Sequence, residues 1–309
     1  MPTVTFSPGV PSSPTAFYDA IDNMTSVALL TGATSTQLTL QQGANTYLIQ
    51  GVGFSWVNTP GGVQVTGGTI TNVNVLTGGA PQMSVTGLSL SAVSVVFAMQ
   101  QDQSGADNAA IERLFLPLGW NYIGNSAADI FLSTETSSDG IPLNLRGNDV
   151  FKTFGGNDHF FLGDGNDRGY GGNGADTIEG GQGLDTVRGD NGNDQLQGGA
   201  GGDLLQGGAN SDLLNGGTSG DRLNGGTGND TVMGGTGPGT DIFIFNVGDG
   251  SDRISDFTLG VDRIDLQPGV GHSFTASGPN NSILHYGPGA DQVLLMGVDM
   301  SEIGQVLFI

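Results

Sequence analysis

Aspartate recurs at every ninth position through the middle of this chain. The uninterrupted series is Asp149, Asp158, Asp167, Asp176, Asp185, Asp194, Asp203, Asp212, Asp221 and Asp230. Carboxylate oxygens are preferred ligands of Ca²⁺, which takes about 6–8 oxygens. One short turn offers a single carboxylate and a few carbonyls, so each ion must be shared by two turns. The spacing therefore predicts a series of calcium sites, each built from two segments of the chain.

The elements that position these carboxylates follow from the surrounding residues. From Gly147 to Met233 the chain repeats a nine-residue unit, GGxGxDxUx, in which U is a large apolar residue. The glycine-rich part can turn sharply, and x-U-x forms a short strand with its middle side chain pointing inward. Two units complete one coil of a flattened right-handed spiral, so units n and n+2 stack. We expect Asp176 and Asp194 in one row, and Asp185 and Asp203 in the other.

The apolar position keeps the same phase as the aspartate. It is filled by Phe151, Phe160, Ile178, Val187, Leu196, Leu205, Leu214, Leu223 and Val232, and Gly169 is the exception. Composition alone would favour a flexible Gly/Asp-rich linker. A linker has no reason to keep either residue in phase, so the pattern favours the coil. Some units depart from it: Asp190 replaces a second glycine, Asn210 and Ser219 replace a fourth, and the first units, "RGNDVFKTF" and "GGNDHFFL", lack early glycines.

The repeated unit resembles that of the RTX (repeats-in-toxin) calcium-binding family. The resemblance implies a parallel β-roll with ions between stacked turns, roughly eight in this tract. It implies ligands from the aspartate side chains, including Asp241 and Asp252 beyond the tract, and from loop carbonyls. The matching glycines are Gly172, Gly174, Gly181, Gly183, Gly192, Gly199, Gly201, Gly208, Gly217, Gly226 and Gly228. It also implies export by type I secretion machinery, through an uncleaved C-terminal signal, to the cell surface or the extracellular space.

The charge pattern couples folding to metal. The net charge is −22, and the tract from Gly147 to Met233 holds 13 acidic residues and four basic ones. Its few apolar residues bury too little surface to order so long a segment, and its carboxylates repel one another. We expect the tract to be disordered without calcium and to fold when calcium binds. With so few basic residues, we expect no nucleic-acid or anionic-lipid surface, and no apolar run is long enough to span a membrane.

The whole chain is predicted to be dominated by β structure. Residues 1–145 are expected to form a β-rich domain with one or two short helices, 146–240 the parallel β-roll, and 241–309 looser final coils, a β cap and the type I secretion signal. The helices are expected at Ser89–Met99 and Asp107–Leu116, and Thr15–Leu30 is a further candidate. After Met233 an insertion breaks the phase, yet Asp241, Asp252 and Asp262 continue the pattern of aspartate and apolar residue. There is no cysteine, and "MPTVTFSPGV" lacks the features of a general secretory signal peptide.

The sequence contains no established catalytic motif. GxSxG and HExxH do not occur, and the histidines His159, His272 and His285 are isolated. We therefore expect a non-enzymatic protein with a structural, adhesive or self-assembling role at a surface or in a matrix. Its partners would be itself, the cell surface or an extracellular polysaccharide. Two alternatives remain open, a carbohydrate-active enzyme or lectin in residues 1–145, and a simple calcium buffer.

Overall fold

The computed structural model describes residues 3–6, 29–34, 37–42, 45–59, 62–77, 80–86, 90–91, 121–123, 130–131 and 146–309. Side chains are described for residues 48–52, 69–73 and 146–309. The chain divides into two compact units, Met1–Phe151 and Lys152–Ile309. Within the described residues the only helix is a 3₁₀ turn, Ile303–Gln305.

The first unit contains a sheet of antiparallel neighbours. The described strands of this unit are β1 (Thr3–Phe6), β2 (Leu29–Thr34), β3 (Gln37–Gln42), β4 (Asn45–Thr59), β5 (Gly62–Thr77), β6 (Ala80–Thr86), β7 (Leu90–Ser91), β8 (Asn121–Ile123) and β9 (Ile130–Phe131). The order β2-β3-β4-β5-β6-β1-β8 is antiparallel except between β1 and β8, and β7 pairs with β5. The long β4–β5 hairpin buries Ile49, Ile70 and Val73.

The predicted helix at Ser89–Met99 is wrong at its start. Leu90 and Ser91 form strand β7 and pair with Ile70 and Thr69 of β5. The neighbouring strand supplies hydrogen-bond partners that sequence periodicity does not reveal, and this tertiary pairing overrides the helical pattern. Leu29 and Leu30, at the end of the other candidate segment, lie in β2. The rest of these segments, the predicted helix at Asp107–Leu116 and the 145/146 domain boundary fall outside the described residues.

The second unit is a parallel β-roll closed by a small antiparallel cap. Its strands are β10 (Val150–Lys152), β11 (His159–Asp164), β12 (Arg168–Asn173), β13 (Thr177–Gln182), β14 (Thr186–Asn191), β15 (Gln195–Ala200), β16 (Leu204–Ala209), β17 (Leu213–Thr218), β18 (Arg222–Thr227), β19 (Thr231–Thr236), β20 (Ile242–Phe245), β21 (Ser251–Ile254), β22 (Arg263–Leu266), β23 (His272–Ala276), β24 (Asn281–Tyr286), β25 (Gln292–Met296) and β26 (Leu307–Phe308). Successive strands alternate between two sheets. Sheet A has the order β10-β12-β14-β16-β18-β20-β22-β26, and sheet B has the order β11-β13-β15-β17-β19-β21-β25-β24-β23.

The register confirms the predicted stacking of units n and n+2. Thr177 pairs with Gln195 in sheet B and Thr186 pairs with Leu204 in sheet A, in each case eighteen residues on. The U side chains between the sheets are buried: Phe160, Ile178, Val187, Leu196, Leu205, Leu214, Leu223, Val232, Phe243, Ile254 and Ile264. At the exception, Gly169, the place of the missing side chain is taken by Phe160, Leu162 and Ile178, which lie within 3.1–3.3 Å of where its Cβ would be. The core therefore stays filled.

Candidate metal centre

Each aspartate of the uninterrupted series lies at the end of a turn, immediately before the first residue of the next strand. The ten aspartates of the uninterrupted series are all at most 3% exposed, and Asp241, Asp252 and Asp262 are at most 8% exposed. Carboxylates are rarely buried to this degree without a partner. Their surroundings therefore decide what the roll can bind.

The aspartates form two hydrogen-bonded rows. In the row beside sheet B, the backbone N–H of each aspartate donates to Oδ1 of the next, in the order Asp158, Asp176, Asp194, Asp212, Asp230 and Asp252. The row beside sheet A runs Asp167, Asp185, Asp203, Asp221, Asp241 and Asp262. The donor–acceptor distances are 2.8–3.1 Å. Each row brings together the residues that the sequence assigned to it.

In eight of these residues the second carboxylate oxygen has no such donor, whereas Asp262 Oδ2 accepts a hydrogen bond from Thr258 N–H at 2.7 Å. Within residues 146–309, the buried Oδ2 atoms without a hydrogen-bond partner include those of Asp176, Asp185, Asp194, Asp203, Asp212, Asp221, Asp230 and Asp252. Leaving a buried carboxylate oxygen unpaired carries a large desolvation cost. A cation beside each Oδ2 would remove that cost.

From Gly171 onward, the first glycine of each unit lets the aspartate of that unit pack closely against its backbone. A Cβ placed on Gly198 would overlap Asp203 Oδ2 of its own unit and the carbonyl oxygen of Gly216 in the stacked unit. The same relation holds at Gly207, where the Cβ would overlap Asp212 Oδ2 and lie 2.5 Å from the Gly225 carbonyl oxygen. A carboxylate oxygen and a main-chain carbonyl thus face one space, which is the hard oxygen donor set that calcium prefers.

Main-chain oxygens must supply part of any coordination shell. Among the residues that the structure describes, no three Asp, Glu, His or Cys side chains converge in a metal-binding arrangement. Paired aspartates alone fall short of the ligands that Ca²⁺ takes. The residues present fit calcium only if carbonyls of the stacked turns contribute, as the family resemblance implies.

The predicted glycine ligands occupy the second position, near the end of each strand, and the fourth position, in the turn that follows. All of them have positive φ: Gly172, Gly174, Gly181, Gly183, Gly192, Gly199, Gly201, Gly208, Gly217, Gly226 and Gly228. The non-glycine residues with positive φ in the described chain are the three that replace a second or fourth glycine of a unit, Asp190 (74°), Asn210 (83°) and Ser219 (91°). The turn geometry therefore survives substitution there, and Asp190 is also held by Arg188 at 2.8 Å.

The sequence reasoning missed the first-position glycines. The second and fourth positions vary, whereas from the unit of Asp176 onward this position is always glycine: Gly171, Gly180, Gly189, Gly198, Gly207, Gly216, Gly225 and Gly234. That uniformity was the available signal. Positive φ is open to Asn, Asp and occasionally Ser, whereas a Cβ at these first-position glycines would collide with the aspartate carboxylate of the same unit.

Both rows continue past the break in phase and then end at a valine. The spacing widens to 20 residues between Asp221 and Asp241 and to 22 between Asp230 and Asp252, yet the hydrogen bonds persist. In the next strand of sheet B, Val293 occupies the register position of Asp252. In sheet A, Val306 directly precedes Leu307, the partner of Arg263, just as Asp262 directly precedes Arg263. A buried apolar residue thus terminates each row.

Other acidic side chains near these ends were not predicted from the sequence. The Asp256 carboxylate accepts hydrogen bonds from the N–H groups of Gly234 and Gly235, at 3.0 and 2.8 Å. Asp291 Oδ2 accepts one from Gly248 N–H at 2.9 Å. These residues lie outside the nine-residue phase, so the repeat gave no signal for them.

Burial raises the pKa of the row carboxylates. From an ordinary value of 3.8, the pKa rises to about 7 for Asp176, Asp212 and Asp221, and to about 8 for Asp252. Loss of hydration is the main cause. Neighbouring carboxylates raise these values further, while the N–H donated to Oδ1 opposes the shift. A metal-free roll would therefore hold carboxylates that resist ionisation, and a divalent cation would reverse that preference.

The comparisons with known proteins agree with this geometry. Residues 145–168, 170–205 and 206–241 match the family model described as "RTX calcium-binding nonapeptide repeat (4 copies)". The chain carries an RTX calcium-binding repeat segment. RTX nonapeptide repeats bind calcium, and the parallel β-roll places this segment's aspartates in stacked pairs. The number of ions stays a prediction, as does the role of each ligand.

Several solved structures are similar to part of the chain. One of them is the crystal structure of extracellular lipase LipA from Serratia marcescens, at 16% sequence identity and a TM-score of 0.26. The alignment covers 61% of this chain and 38% of the lipase, and a similarity at that TM-score carries no argument. No curated protein matches the chain. In the described ranges, no helix has the length and apolar character to cross a membrane.

Proposed function

We propose that this chain is a secreted RTX protein whose roll folds when it meets calcium outside the cell. In this proposal the folded protein serves a structural, adhesive or self-assembling role at a surface or in a matrix. The observation that carries the calcium step is the set of buried Oδ2 atoms without a hydrogen-bond partner, such as those of Asp203 and Asp212, which lie beside main-chain carbonyl oxygens of the stacked unit. Such atoms are costly in a metal-free fold and favourable beside a cation.

Coupling of folding to calcium follows from the same atoms. Each ion would sit between turns that are eighteen residues apart in sequence, as Asp185 and Asp203 are. That arrangement does not exist in the unfolded chain, so the free energy of binding becomes free energy of folding. Cytoplasmic calcium is low, and we expect the RTX segment to stay unfolded there and to fold after export.

A non-enzymatic role is part of the proposal. The motifs GxSxG and HExxH are absent from the sequence. The repeat carboxylates take part in the two hydrogen-bonded rows. The described histidines are accounted for by local contacts on the surface, such as His285 with the Thr275 hydroxyl at 2.8 Å. We expect no hydrolase activity from the RTX segment.

The test is far-UV circular dichroism of the whole chain, with chelator and with millimolar calcium, followed by light scattering of the same samples. We expect β signal that rises only with calcium, and a matched titration with magnesium should give a much weaker response, because Mg²⁺ demands a smaller octahedral site. Growth into large particles would support self-assembly. A calcium-folded protein that stays monomeric would argue against self-assembly and direct attention to glycan binding and enzyme screens. Absence of a calcium response would refute the proposal.

A further inference from the structure

The basic residues of the roll are concentrated on one outer face. Residues 150–309 contain six lysines and arginines, and five of them lie in strands of sheet A: Lys152, Arg168, Arg188, Arg222 and Arg263. Each is exposed and adjoins a buried strand residue, so each points away from the core. Most of the few basic residues of the roll therefore lie together on the outer face of sheet A.

Three of these arginines lie in a single row across the strands. The register runs Arg168, Thr186, Leu204, Arg222, Ile242 and Arg263 from β12 to β22. Neighbouring strands are about 4.8 Å apart, so the arginines are separated by about 14 Å and about 10 Å along the roll. Half-buried Leu204 and Ile242 lie between them. We call this line the arginine row.

The opposite face has a different character. The equivalent row of sheet B runs His159, Thr177, Gln195, Leu213, Thr231 and Arg253. It holds one arginine, and that arginine already donates to Thr231 Oγ1 at 3.2 Å. The two faces of one roll are thus distinguished by charge, although both are built from the same repeat.

Within residues 146–309, few acidic side chains neutralise the arginine row. Arg222 lies 3.5 Å from the Asp265 carboxylate, and both side chains are substantially exposed. Within residues 146–309, Arg168 and Arg263 form no ion pair. Exposed pairs such as Arg222–Asp265 contribute little and exchange readily with a competing anion. The row therefore offers fixed positive charge to a partner.

From this arrangement we propose that the arginine row binds an extended acidic polysaccharide lying along the roll. The proposal rests on the calcium-folded roll, because the row exists only when β12, β18 and β22 are stacked. Carboxylate groups spaced one per disaccharide would meet successive guanidinium groups, which bind carboxylates in a bidentate manner. Leu204 and Ile242 would contact the apolar C–H faces of the sugar rings between them.

Charge density favours this partner over nucleic acid. Duplex DNA carries one charge per about 1.7 Å of its axis, far more than a row with one arginine every 10–14 Å can neutralise. The net charge of −22 would repel so dense a polyanion. A sparsely charged polymer meets the row without requiring the rest of the surface to be basic.

The test uses the full chain in calcium and hyaluronate, which carries one carboxylate per disaccharide. Dextran serves as the neutral polymer and duplex DNA as the dense polyanion. We compare wild type with the triple variant Arg168→Gln/Arg222→Gln/Arg263→Gln, and with Arg253→Gln as the matched control on the other face. Circular dichroism in calcium verifies that each variant folds.

We expect wild type and Arg253→Gln to bind hyaluronate equally, with salt-sensitive affinity. The triple variant should bind roughly tenfold more weakly or worse, since each exposed charge contact contributes up to a factor of a few. Equal binding by the folded triple variant would overturn the proposal, as would equal affinity for dextran or a preference for DNA. A chain that shows no folding response to calcium would refute the proposed function as well, whereas a folded chain without hyaluronate binding refutes the arginine row alone.

Discussion

The backbone N–H of Asp185 donates to Oδ1 of Asp203 at 2.8 Å, although eighteen residues separate them. One oxygen of the Asp203 carboxylate thereby fixes the spacing of two turns, while Oδ2, buried and without a hydrogen-bond partner in the described chain, remains for a cation. The two oxygens of one side chain thus serve stacking and metal binding separately. Substitutions can separate the two roles.

Replacing Asp203 with asparagine should weaken calcium-induced folding while preserving the stack. The amide oxygen can still accept from Asp185 N–H, but the charge next to the cation is lost. Replacing it with alanine removes both, and the unpaired N–H adds about 1–3 kcal/mol of destabilisation. In calcium titrations followed by circular dichroism, the midpoint should rise from wild type to Asp203→Asn to Asp203→Ala. Equal midpoints for wild type and Asp203→Asn would contradict the metal role of Oδ2.

A methyl group at Gly198 should damage the calcium response. Its Cβ would occupy the space between Asp203 Oδ2 and the Gly216 carbonyl oxygen. The matched control is Gly202→Ala, because its Cβ would lie 3.1 Å from the nearest atom and the same repeat position elsewhere holds Ala175 and Leu184. The calcium midpoint should shift several-fold for Gly198→Ala and little for the control. Similar behaviour of the two variants would show that the first-position space is not used.

Acid should stabilise the metal-free roll. Burial raises the pKa of Asp176 and Asp212 from 3.8 to about 7, so the folded form binds protons more tightly than the unfolded chain. By linkage, metal-free stability is lowest above about pH 7 and rises as the pH falls from about 7 toward 4. In chelator, the β signal should therefore grow on acidification to about pH 5 and fall again on neutralisation. A metal-free spectrum that does not change over this range would contradict the burial of these carboxylates.

Adjacent leucines on opposite faces of β16 should differ in their effect on stability. Leu205 is fully buried between the sheets, while Leu204 lies on the outer face. Leu205→Ala should cost about 2–5 kcal/mol through lost contacts and the cavity left behind. Leu204→Ala should cost about 1 kcal/mol or less. Urea denaturation in excess calcium measures both, and a reversed order would mean that the register of β16 is wrong.

Much of the roll could be predicted from the sequence because its local and long-range signals coincide. The nine-residue repeat predicts both the turn and the strand. Twice that length, eighteen residues, predicts which aspartates lie next to each other. The repeat also predicted that Asp241, Asp252 and Asp262 continue the pattern, as their hydrogen bonds confirm. The valines that end the rows were not predicted. They become meaningful only through pairing with strands that lie about 40 residues away in sequence.

The arginine row shows a different limit of prediction from the sequence. Arg168 and Arg222 are 54 residues apart, which is three full coils, so the doubled period places them on one sheet. Composition counts these residues together with the acidic turns and does not reveal that they share a face. In the first unit, strand β7 was predicted as helix, since pairing with β5 leaves no trace in the local periodicity.

The eighteen-residue step also governs how the length of such a chain can change. Duplicating or deleting two units leaves every later strand on its original sheet, so both aspartate rows and the arginine row continue in register. A change of one unit keeps the sequence pattern intact but moves everything beyond it to the other sheet, leaving Arg168 on one side and Arg222 on the other. The small insertion before Asp241 is confined to a turn and leaves the row in place. Variation in whole coils is therefore compatible with a two-faced roll, and variation in single repeats is not.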